Sequence, residues 1–133
     1  MSKHWFEYVK SCYDLVIETE GKTQLILDHE VEAYVVHLMA RNFDRTDIGT
    51  TAMTFKMFDA IHSRRRDDLV AVADECLLIH SFPLKRHRWP TGTYYQDLGT
   101  TAYGMAQHMM ESNFVPAGRI LGAIFTQKET VIL

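Results

Sequence analysis

Along almost the whole chain the apolar residues recur at helical spacing, and no stretch alternates apolar and polar residues two by two. There is also no Asn-Gly or Asp-Gly hairpin signal. A chain patterned this way has to bury stripes on helices, so it folds as helix upon helix. The expectation is an all-α, single-domain bundle of about six helices over residues 1–133, antiparallel-leaning because most connections are short. Its length of 133 residues suits one domain with a core of its own, and the apolar share of 47% with a charged share of 23% is that of an ordinary globular protein.

The stretch Tyr94 to Ser112 organises this pattern. Leu98, Ala102, Met105 and Met109 form one helical row, and Tyr95, Gly99, Ala102 and Ala106 form a second row of mostly small side chains. An interior glycine costs a helix about 1 kcal/mol against alanine. Gly99 and Gly104 beside Ala102 and Ala106 therefore point to close helix packing.

Other helices follow in order. Trp5, Tyr8, Val9, Cys12, Leu15, Val16 and Thr19 mark the first, with Gly21 as its stop and Gly21 to Gln24 as a turn. Asp28 caps a second that buries Val31, Tyr34, Val35, Leu38 and Met39 and frays near Asn42. Thr46 or Asp47 caps a third with the face Ile48, Ala52, Phe55, Phe58 and Ile61. Ser63 caps a fourth carrying Leu69, Val70, Ala73, Cys76, Leu77 and Leu78 or His80, which Pro83 ends. Val115, Pro116 and Ala117 open the last, with Ile120, Leu121, Ile124 and Phe125 inside.

Three stretches, Val31-Glu-Ala-Tyr-Val-Val-His-Leu-Met-Ala-Arg41, Ala73-Asp-Glu-Cys-Leu-Leu-Ile-His-Ser-Phe-Pro83 and Tyr94-Tyr-Gln-Asp-Leu-Gly-Thr-Thr-Ala-Tyr-Gly104, resemble an uncharacterised family of small all-helical bacterial proteins. The resemblance rests on helix-packing patterns. It implies a helical fold and a cytoplasmic address, and carries no activity across.

Chemistry-bearing residues are few in pattern, although there are seven histidines. Cys76 and His80, four apart on a helix, put a thiol and an imidazole on one face as a metal site requires, and His37 and His108 are candidates to complete it. Closed sites need about four ligands, and the chain has no CxxC, HExxH or Glu-x-x-His pair. Packing is the simpler role for Cys76. A Cys76–His80 nucleophile is weaker still, since an apolar face raises a thiol pKa. No phosphate loop or nucleophile elbow occurs, so no catalytic residue and no cofactor is expected.

Two basic clusters, Arg64, Arg65 and Arg66 and then Lys85, Arg86, His87 and Arg88, are candidate contacts for an anion or a partner, with Trp89 beside the second. A net charge of −3 argues against nucleic acid as the main partner. Two cysteines are too few for a disulfide framework, and no segment reaches the about 18 apolar residues of a membrane span. The sequence thus favours a cytoplasmic, non-catalytic interaction or regulatory module, self-associating through an apolar helix face. Ligand or metal binding at Cys76 and His80 is the alternative, and nucleic-acid binding through the basic clusters comes third.

Overall fold

The computed structural model describes residues 3–42, 53–81 and 93–132, without the side chains of Lys3 and residues 127–132. Among the described residues there are six helices and no strand. They are α1 (Lys3–Thr23), α2 (His29–Asn42), α3 (Met53–Ser63), α4 (Arg66–Ser81), α5 (Tyr94–Met105) and α6 (Phe114–Ile132), with a short 3₁₀ turn (Met109–Glu111) between the last two. The fold is all-helical. No described helix is long and apolar enough to cross a membrane.

The centre of the bundle is α4, against which α3, α5 and α6 all pack, while α1 lies on α2 and α6. Its burial follows from composition: Leu69, Val72, Ala73, Cys76, Leu77, Leu78 and Ile79 are buried, so apolar residues lie on more than one of its sides. The Tyr94 stretch is therefore a neighbour of the organising helix. Tyr103, Phe114, Leu38, Leu77 and Ile79 are among the largest fully buried side chains, and Ile120, Leu121 and Ile124 bring α6 into the same core.

Several boundaries differ from the sequence expectation. The first helix runs through Gly21 to Thr23 and stops at Gln24, whose φ is 58°. Gly21 sits where nothing approaches within 4 Å, and one glycine costs too little to break a helix held by Cys12, Val16 and Thr19. Leu15, placed inside by its spacing, is exposed. Ser63 closes α3 instead of capping α4. Its hydroxyl donates to Ala60 O at 2.9 Å and accepts the Arg65 N–H at 3.2 Å, while Arg64 turns the chain at φ 58°.

The α5 helix ends at Met105 and does not continue to Ser112. His108 N–H reaches Tyr103 O at 2.9 Å and Gln107 N–H reaches Gly104 O at 3.0 Å, with Gln107 at φ 53°. This paired closure around a left-handed residue satisfies the last carbonyls and reverses the chain. Consequently Met105 and Met109 face solvent while Ala102 of the same row is buried, and the buried side is Gly99, Ala102, Tyr103 and Ala106. The last helix starts at Phe114, with Ala117 N–H on Asn113 O at 3.0 Å, so Pro116 lies within its first turn, where its missing N–H has no helical partner to lose.

Candidate functional site

On α3 the buried side chains are Met53, Met57 and Ala60. This is the reverse of the expected face: Phe55 is 70% exposed, Phe58 59% and Ile61 42%. Ile48, Ala52, Thr46 and Asp47 lie outside the described residues. The helix is held in this rotation by an ion pair as well as by its methionines. Lys56 donates to both carboxylate oxygens of Glu75 at 2.9 Å, and Glu75 is buried on α4. Next to that pair runs an open groove of about 480 Å³, lined by Lys56, Asp59, Ser63, Asp68 and Val72 among others. The outward side of α3 is thus an apolar row at positions i, i+3 and i+6, with the His62 ring tilted over Phe58 at 4.1 Å.

A polar constellation lies where α2, α4 and α5 meet. Asp74 Oδ1 accepts the hydroxyl of Tyr103 at 2.6 Å and that of Tyr34, and Arg41 stands 3.9 Å from Oδ2. The ring of His108 stacks on Tyr103 at 5.2 Å and meets Tyr34 edge-on at 4.8 Å. Burial raises the Asp74 carboxyl above its usual range, against the pull of both phenols, Arg41 and His108. Burial, reinforced by Asp74, also pushes the Tyr34 and Tyr103 phenols upward. One carboxylate thus collects donors from both neighbouring helices. A buried polar group so satisfied ties elements together at little cost.

His108 carries a second contact. Its Nδ1 accepts the Met110 N–H at 3.1 Å and so caps the 3₁₀ turn. The neutral ring then holds its proton on Nε2. Burial first, then Arg66, holds its pKa below the ordinary imidazole value, with Asp74 opposing.

The proposed metal ligands are distributed as follows. Cys76 is fully buried, and a Cβ built on Gly99 would fall 2.9 Å from its Cβ. Burial, with Glu75 adding, pushes its thiol up to about 12, so it is a neutral thiol at neutral pH. His80 packs near Phe114 at 5.6 Å between ring centres. His37 is exposed, with Nδ1 on Ala33 O at 2.8 Å. His108 belongs to the Asp74 constellation. Among the described residues no group of three or more His, Cys, Asp or Glu side chains comes together in a way that could hold a metal ion.

The arginines of the first basic cluster, Arg64, Arg65 and Arg66, are all exposed, and Arg66 Nε also donates to Ala106 O at 2.7 Å. Lys85, Arg86, His87, Arg88 and Trp89 lie outside the described residues. In the small-residue row, a Cβ on Gly99 would stand 2.5 Å from Phe114 Cε2, so α5 approaches α4 and α6 as closely as a helix without that side chain can. Ala102 and Ala106 are buried beside it, and Gly104 faces the Glu111 carboxylate. No family model matches the chain, and no curated protein or solved structure is found to be similar to it.

Sequence reasoning did not single out Asp74, Arg41, Tyr103 or the buried acids Glu20, Glu32 and Glu75 as a group. Tyr34 and Tyr103 lie 40 and 29 residues from Asp74, so no local motif joins them. The one available signal was the acidic pair Asp74-Glu75 set between the apolar runs of α4.

Proposed function

We propose that the chain is a non-catalytic helical interaction module that pairs with a second copy of itself through the outward side of α3. The observation that carries this reading is the exposed row of Phe55, Phe58 and Ile61 on a helix whose other side is locked by Met57 and the Lys56–Glu75 pair. Large apolar side chains gathered in one place on a water-soluble surface mark an interaction site more often than chance exposure does.

The row is self-complementary. Phe55 and Ile61 are each three residues from Phe58. Two copies of α3 crossing antiparallel about Phe58 set Phe55 against Ile61 of the partner subunit, and the reverse, as a two-fold interface requires. Asp59 and His62 flank the row and leave a polar rim. A net charge of −3 puts little repulsion between copies. Cys12 and Cys76, both buried thiols, suit a reducing compartment, and the reading places the protein in the cytoplasm.

Light scattering during gel filtration tests the proposal. The chain is expected to elute at twice its 15.4 kDa mass, and Phe58→Asp at the monomer mass with unchanged helical circular dichroism. A wild-type chain that stays monomeric at high micromolar concentration overturns it.

A further inference from the structure

The outward side of α3 carries one titratable ring beside its apolar row. Phe55, Phe58 and His62 are spaced i, i+3 and i+7, so they share a side of the helix. The His62 ring is tilted by 32° over the Phe58 ring, with 4.1 Å between centroids. Its Nδ1 stands 2.8 Å from Phe58 O. A carbonyl oxygen can only accept, so Nδ1 carries the proton of that bond and the neutral ring keeps a bare lone pair on Nε2. Both contacts hold the imidazole against Phe58, the residue about which two copies of α3 cross.

We propose that His62 makes the α3 self-pairing, on which this inference rests, sensitive to pH: two copies join while His62 is neutral and part when it takes a proton. Two effects act in the same direction. His62 is exposed in the single copy, and a second copy seated on Phe58 strips water from its ring. An imidazolium loses far more by that than a neutral imidazole does. A cation within about 6 Å of an aromatic centroid is also drawn to the ring face, which keeps the imidazolium over Phe58 and the partner's side chains off it. Pairing is therefore complete where His62 is neutral and weakens as pH falls through its titration, because a protonated copy must shed that proton to join.

The charges around the ring leave this balance intact. On α3 itself, Asp59 stands three residues before His62, and Lys56 gives its ammonium to both oxygens of Glu75. From α4, the helix packed on α3, Asp68 and Glu75 line the groove beside Lys56 and not the outward row. Arg64 and Arg65 follow in the exposed connection, and Arg66 is turned to Ala106 O. Tyr94 of α5 reaches α3 at Thr54, near its other end. Among the described residues no carboxylate lies within ion-pair distance of His62, so no acid of the same copy retains the imidazolium once water is removed.

Sedimentation equilibrium of the full chain at pH 7 and pH 5 tests the switch. The wild-type dissociation constant is expected to rise by about tenfold or more on acidification, the limit being about tenfold per pH unit for each proton excluded. His62→Gln keeps a polar side chain without a titrating proton, and its dissociation constant is expected to change by less than about twofold. His108→Asn removes the histidine of the Asp74 constellation and is expected to keep the wild-type dependence. A wild-type dimer whose affinity ignores pH, or a His62→Gln dimer that keeps the dependence, overturns the switch and leaves the pairing standing. A wild type that is monomeric at both pH values overturns the pairing and the switch with it.

Discussion

The guanidinium of Arg66, at the start of α4, donates its Nε–H to the carbonyl oxygen of Ala106, at the end of α5, over 2.7 Å. A cation is out of place at a helix N-terminus taken alone, but here it sits on the negative end of the neighbouring helix. Asp67 and Asp68 supply the acidic first turn that α4 itself prefers. Arg66→Gln is expected to lower stability by about 1 kcal/mol, since the bond is charge-assisted but half open to water. Arg65→Gln, on an exposed side chain, stays within about 0.5 kcal/mol. Urea midpoints for the two variants decide.

Gln107 holds φ at 53° to close α5, a conformation that costs a residue with a side chain about 1 kcal/mol or more and glycine almost nothing. Gln107 is also exposed. Gln107→Gly is expected to stabilise the fold by about 1 kcal/mol, visible as a higher melting temperature. An unchanged or lower value would mean that the side chain itself contributes to the turn.

Two glycines inside helices should respond oppositely to alanine. At Gly21 nothing lies within 4 Å, so Gly21→Ala gains helix propensity, about 0.5–1 kcal/mol. At Gly99 the new Cβ meets the Phe114 ring at 2.5 Å and Cys76 at 2.9 Å. Overpacking there costs about 1–3 kcal/mol and outweighs the propensity gain. Chemical denaturation of both variants tests the opposite signs.

His108 binds a proton less readily in the folded chain than in the unfolded one, because burial and Arg66 both disfavour the cation. Its contribution to stability is thus present above the ordinary histidine range and is lost as pH falls through the folded value. Protonation of Nδ1 would also turn the acceptor for Met110 N–H into a donor. His108→Asn keeps an acceptor for that cap and removes the titration. The unfolding free energy of this variant is expected to fall less than that of the wild type between pH 7 and 5, and parallel curves would count against the assignment.

Periodicity revealed the helices because each buries a stripe, and on α6 the stripe of Ile120, Leu121 and Ile124 is unambiguous. It failed on α3, which carries two apolar rows. Phe55, Phe58 and Ile61 repeat at helical spacing as well as Met53, Met57 and Ala60 do, and the row that turns inward is the one seated with the Lys56–Glu75 pair, whose acid lies on another helix. Gly21 and Ser63 were misread because a local preference of about 1 kcal/mol yields to packing. The Asp74 constellation left no local trace, since its members come from different helices. That they are satisfied depends on tertiary approach, which spacing along the chain does not encode.

The contact between α1 and α6 joins helices near opposite ends of the described chain. During synthesis, α1 and α2 therefore leave the ribosome long before the helix that completes their burial exists. Until Ile120, Leu121 and Ile124 arrive, the nascent chain shows bare apolar surface on α4, whose Leu77 stands against α6 at Gly118. Ribosome-bound chains stopped before Phe114 should accordingly be sticky, protease-sensitive and dependent on chaperones, and should lose all three traits once α6 is released.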